Sequence, residues 1–167
     1  MTGVDLTAVP GIEATTALKL VSELGVDLTM FRSHKQFASM LGLCPDNKVS
    51  GGKRLSSKTK RTSHRARSAL RLAAATLHQS KTALGAFYRR MRGRLGAPKA
   101  ITAAAHKLAV IIFNMIKNGE EYHELGQSYY EEQYRSRLIK NLNHRAKLLG
   151  FDLVKREETM ALECAVL

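Results

Sequence analysis

Between Asp46 and Glu120 the sequence has no acidic residue, while lysine and arginine recur from Lys48 to Lys117. The net charge of +13 is therefore local, because every carboxylate lies in the first 46 residues or the last 48. A field of one sign over so long a segment repels itself, and phosphates that release counterions on binding relieve it; nucleic acid is the first partner expected. Tryptophan is absent, and cysteine is limited to Cys44 and Cys164 without CxxC or histidine at ligand spacing. That argues against a disulfide framework or a zinc site. No run of 18 apolar residues occurs, the longest being Leu108 to Phe113, so no membrane span is expected. No secretory signal opens the chain, and a cytoplasmic protein with no membrane partner is expected. Strand-type alternation of useful length is also missing, and with 6% aromatics and abundant Ala, Leu, Lys and Arg the composition favours helix.

What is present reads as an all-α chain: a helix-hairpin-helix-like N-terminal part, a basic loop, then a helical bundle with a long C-terminal helix. Pro10 and Gly11 make a turn that opens a helix whose Ala14, Ala17, Leu18, Val21 and Leu24 share a face, and Gly25 stops it. Such a turn can offer the Gly11 amide to a DNA phosphate. Ser33 caps a short second helix through Phe37 to Gly42. Residues 42–63 are rich in turn formers and cations without an apolar period, as in a long loop or extended ribbon. Helical spacing returns at His64, with Ala66, Leu70, Ala73 and Leu77 apolar and His64, Arg67 and Arg71 basic. Further helices are expected over 84–94, from Pro98 to Gly119 with Ile101, Ala105, Leu108, Ile112 and Met115 on one face, and over 120–150. Residues from Phe151 onward have weak pattern.

One segment of the loop has the makings of a reaction site. In Lys48-Val-Ser-Gly-Gly-Lys-Arg54 two glycines follow Ser50, so the backbone can come close to a ligand, and cations flank it. A serine attacking a phosphodiester needs cations or metal around the phosphoryl oxygens. The cations are present, whereas a general base and a carboxylate cluster for metal are not. The six histidines lack metal spacing, and Glu120, Glu121, Glu124, Glu131 and Glu132 read as solubilising charges, so no metal site is expected here. The bland alternative makes Ser50 an ordinary turn residue.

The order of the pieces resembles a known family. Val9-Pro-Gly-Ile with Leu24-Gly25, then Lys35-Gln-Phe-Ala with Gly42-Leu and Pro45, then Ser50-Gly-Gly-Lys53, the Ser57 to Arg61 element, and the tail Tyr122-His-Glu-Leu-Gly with Tyr129-Tyr-Glu-Glu132 are similar to the C-terminal transposase domain of the IS110/IS1111 (IS116/IS110/IS902) family. The resemblance implies a recombinase in which Ser50 is the nucleophile and a RuvC-like N-terminal domain, not carried here, holds divalent metal (Mg) on an Asp-Glu-Asp-Asp cluster. It also implies a structured guide RNA as a partner, and a homo-oligomer, since strand exchange needs two active sites. No cofactor is expected on this fragment, which by itself would be inactive. Where the family often has Lys-Arg-Gly-Asn, this chain has Lys60-Arg61-Thr62-Ser63.

The expected nucleic-acid contacts are Gly11, Lys48, Gly51, Gly52, Lys53, Arg54, Lys58, Lys60, Arg61, Arg65, Arg67 and Arg71. The expected organisation is vector-derived residues 1–5, a serine-bearing domain over 6–118, a helical extension over 119–154 and a weakly structured tail over 155–167. Two other readings compete: a non-catalytic nucleic-acid-binding helical module, and an oligomerisation piece using the 98–117 and 127–149 helices.

Overall fold

A computed structural model describes residues 3–60 and 62–154. Their helices are α1 (Ala14–Leu24), α2 (His34–Met40), α3 (Arg65–Thr76), α4 (Ala83–Leu95), α5 (Ala97–Asn118) and α6 (Gly126–Leu148). Short 3-10 turns precede α1 and follow α3. The chain is all-α apart from one two-stranded ribbon, β1 (Lys48–Ser50) and β2 (Lys53–Ser56). It divides into two compact units, Met1–Tyr130 and Glu131–Leu167, the division falling within α6.

The first unit is organised by α5. Pro98 stands in its first turn, where a missing N–H costs nothing, and Gly119 ends it in the left-handed conformation. Between them Ala104, Ala105, Leu108, Ala109, Ile112, Phe113 and Met115 are buried, and α2, α3 and α4 all pack on this helix. By length and mean apolarity α5 would qualify to cross a membrane, although it holds no unbroken run of 18 apolar residues. Its apolar face is instead part of a core shared with Phe37, Leu41, Leu70, Leu77 and Leu84. Phe37 lies between Phe31 and Phe113, with ring centroids 5.4 and 5.5 Å away. The ammonium of Lys117 donates to the Phe31 carbonyl at 2.5 Å and lies 5.2 Å from the centre of the Phe113 ring.

Several expectations hold in detail. Ser33 caps α2, its hydroxyl accepting from the Gln36 amide at 3.4 Å, and the α3 stripe of Ala66, Leu70 and Ala73, with Leu77 beyond it, is buried. Others shift. In α1 the fully buried side chain is Leu20, supported by the partly buried Ala17, Val21 and Leu24, while Leu18 is 71% exposed. The true face is thus rotated from the expected one, because α1 seats on α3. A 3-10 turn at Leu6–Ala8 stands where a helix-hairpin-helix would have its first helix. The last helix begins at Gly126 and not at Glu120, and the expected tail over 155–167 lies outside the described residues.

The late start of α6 has a specific cause. The Glu124 carboxylate accepts from the amide of Ala83, first residue of α4, and from that of Gly126, first residue of α6, both at 2.8 Å. Its second oxygen accepts from the Tyr122 hydroxyl at 2.6 Å, and burial together with this bond holds the phenol well above its ordinary pKa. One carboxylate thus serves two helix N-termini, where negative charge is favourable. Arg89 completes the corner, donating to the carbonyls of His78 (3.2 Å) and Ser80 (2.6 Å) and to the Gln127 side chain (2.7 Å).

Two predictions follow the packing. A Cβ at Gly85 would lie 2.1 Å from the Ser80 carbonyl oxygen, whereas one at Gly93, in the same helix, meets nothing within 4 Å. Gly85→Ala should destabilise by about 3 kcal/mol through overpacking, and Gly93→Ala should stabilise by about 0.5 kcal/mol. Denaturant midpoints of the two variants decide it; similar midpoints would refute the close approach. His106 is held below its usual 6.5 by burial, then by the charges of His34 and Lys107. The unfolded imidazole therefore takes up a proton before the folded one does, so stability should fall as pH drops below 6.5. His106→Gln should flatten that part of the profile of melting temperature against pH.

Candidate functional site

The Ser50 segment is a hairpin, which selects the extended ribbon from the two forms expected of residues 42–63. Val49 pairs with Arg54 and Ser50 with Lys53, leaving Gly51 and Gly52 as a two-residue loop. Their φ values of 54° and 74° are both positive, the signature of a type I′ turn, which glycine adopts without strain. Gly-Gly between short β-prone segments was the signal available in the sequence. A register shift after Lys48 pairs it with Ser56, so Leu55 is the extra residue of a bulge. The ribbon continues as a bridge between Pro45 and Thr59, and the Asp46 amide donates to the Lys58 carbonyl at 2.9 Å.

At its tip the ribbon is open. Ser50, Gly51, Gly52, Lys48 and Lys53 are all exposed, and nothing lies within 4 Å of where a Cβ would stand on either glycine. Its root is held firmly. Arg67, half-buried on α3, donates through one guanidinium nitrogen to the carbonyls of Lys60 and Thr62, each at 3.2 Å, and through the other to the Thr59 hydroxyl at 3.3 Å. The Thr62 hydroxyl donates to the Leu41 carbonyl at 3.4 Å, tying the connection between β2 and α3 to the end of α2.

The expected contact residues therefore divide. Lys58 and Lys60 are exposed beyond β2, and Arg65 and Arg71 are exposed on α3. Arg65 lies 3.5 Å from Glu23, an exposed pair that contributes little and partly neutralises it. Arg67 is occupied in holding the ribbon root. Arg61 lies outside the described residues. Gly11 is half-buried, and a Cβ there would sit 2.7 Å from the Ala73 carbonyl oxygen, so this glycine lets its turn approach α3 near that helix's C-terminal end. The ribbon is held at the opposite end of α3. Cys44 is free, its thiol held above its ordinary pKa by burial, and Cys164 lies outside the described residues.

Residues 5–89 match the family described as Transposase IS116/IS110/IS902. The chain belongs to that family. No curated protein and no solved structure matches it. The segment shared with the IS116/IS110/IS902 transposases runs from the turn before α1 through the ribbon and α3 into α4, and therefore contains Ser50 and every expected nucleic-acid contact. The central helix α5 and all of α6 lie beyond it.

The division between holding and exposed cations can be tested on stability alone. Arg67→Ala should destabilise by about 1 kcal/mol, since several part-buried and exposed acceptors lose their shared donor, and should speed amide hydrogen exchange over 57–60. Arg71→Ala should stay within about 0.5 kcal/mol of the parent. Equal effects of the two would show that Arg67 does not hold the ribbon.

Proposed function

We propose that this transposase domain binds DNA through the exposed cations of the ribbon and α3 and presents Ser50 as the nucleophile that breaks and rejoins a phosphodiester. The observation that carries the reading is Ser50 itself: an exposed hydroxyl beside a two-glycine turn, between Lys48 and Lys53, in a segment of the chain without acid. In the proposed step the serine Oγ loses its proton and forms a bond to phosphorus, one bridging P–O bond breaks, and the departing oxygen leaves as a hydroxyl. Lys48 and Lys53 would offset the charge gathering on the phosphoryl oxygens, and the bare glycine backbone would let the strand come near. Reversal of the step on a second strand completes exchange.

Divalent metal is not assigned to this chain. Among the described residues no group of three or more His, Cys, Asp or Glu could hold an ion, so these residues do not fit one and no step is derived through it. In this proposal Mg belongs to a RuvC-like domain that works with this one. The same exposed cations suit the phosphates of a structured guide RNA, whose base pairing would supply sequence choice. Several cations grouped on one ribbon match a regularly spaced backbone, and that supports a polynucleotide over a small anion.

Ser50→Ala in the protein carrying both domains should leave DNA affinity within about twofold, since one neutral hydroxyl adds little to a counterion-driven interaction, while strand exchange and any covalent protein–DNA adduct disappear. Persisting exchange would make Ser50 a turn residue and favour the non-catalytic binding module. For the 167-residue chain on duplex DNA, log K against log salt should slope at about −5, as for some five displaced counterions. A nearly flat line would reject the electrostatic interface.

A further inference from the structure

Two residues of the ribbon are apolar and belong to no core. Val49 and Leu55 are 62% and 71% exposed, in a hairpin that also carries Lys48, Ser50 and Lys53. By strand alternation Lys48, Ser50 and Lys53 share one face and Val49 takes the other, while Leu55 lies opposite the Lys48–Val49 step as the residue the bulge adds. Exposed Lys58 and Lys60 follow, and the chain holds no acid from Asn47 to Gly119. The occupant of this surface must therefore carry negative charge and offer an apolar group close to it.

We propose that Val49 and Leu55 enter the major groove of duplex DNA and pack on thymine methyl groups, which makes the ribbon a base-sensing contact beside Ser50. This rests on the reading of the ribbon as a DNA-binding element and adds which groove it enters and which base it favours. Two properties point there. The first is width: two strands about 4.8 Å apart, with their side chains, fit a major groove about 12 Å wide and not a minor groove of about 6 Å. The second is chemistry. Base faces in a duplex are stacked out of reach, and the apolar group that the major groove displays is the C5-methyl of thymine. The two faces of the ribbon then have separate tasks, with Lys48, Ser50 and Lys53 turned to the phosphates of one strand and Val49 to base edges. A structured RNA is disfavoured as the occupant, because an A-form major groove is deep and narrow and uracil has no methyl. An apolar protein surface would cover Val49 and Leu55 but would leave Lys48 and Lys53 beside it without counter-charge.

The test is titration of the 167-residue chain onto a short alternating A·T duplex and onto the same duplex with every thymine replaced by uracil, which removes the methyls and keeps every phosphate. The thymine duplex should bind about threefold more tightly for each methyl covered, as for one buried methylene, with equal salt slopes. V49S/L55S should lose that preference, keep the salt slope and bind duplex RNA as the parent does, whereas V49I should retain the preference. Equal affinity of the parent for the two DNA duplexes overturns the proposal without recourse to any variant. So does a preference that survives in V49S/L55S. An RNA affinity that falls in V49S/L55S as far as the DNA affinity also overturns it and makes RNA the occupant. Steep salt dependence without a methyl preference removes this inference alone and leaves the DNA interface standing, while a flat salt dependence removes both.

Discussion

Three helices share one neighbour, and the first unit follows from that. α2, α3 and α4 each need an apolar surface to cover, and α5 supplies it on several sides at once. The buried faces of α3 and α5 are rich in alanine, with Ala66, Ala69, Ala73 and Ala74 on one and Ala100, Ala104, Ala105 and Ala109 on the other. Alanine lets helix backbones come close while remaining the best helix former. The close packing leaves no room for a cation inside, so the lysines and arginines of the basic segment are displaced to the periphery or bound to backbone carbonyls.

This sorting gives the acid-free segment two populations. Arg67, Arg89 and Lys117 spend their charge on main-chain oxygens, where no carboxylate is needed because the carbonyl dipoles at turns and helix ends accept in its place. Lys48, Lys53, Lys58, Lys60 and Arg71 remain exposed. A net positive segment can therefore fold without internal ion pairs, and the charge left exposed is the charge available to a polyanion. The ribbon occupies a useful place in this scheme, with a constrained root at Arg67 and Thr62 and a tip at Ser50.

Much of this was legible in the sequence, and the rest was not for identifiable reasons. Helix boundaries set by strong punctuation, Ser33, Gly25, Pro98 and Gly119, agree with the structure because those signals are local. The buried side of α1 was misplaced, because Leu18 and Leu20 are equally apolar and only the seat on α3 chooses between them. The start of α6 was missed because Glu124 acts on Ala83, 41 residues away in sequence, and no local pattern announces such a bond. At the candidate site, Ser50 and its glycines could be picked out by residue type, while the holding role of Arg67 depends on carbonyls brought near by the fold of the loop. Charge alone made Arg67 and Arg71 look alike.

The corner at Glu124 has a bearing on how the starts of α4 and α6 depend on each other. Because a single carboxylate receives the first amide of α4 and the first amide of α6, the stabilities of those two helix starts are not independent quantities. A load applied to α6 that draws the Gly126 amide away frees the carboxylate from one of its obligations and alters how it holds Ala83, in the helix adjoining the core. The linkage is thermodynamic and therefore reciprocal, so fraying at the head of α4 is equally a loosening of the anchor of α6.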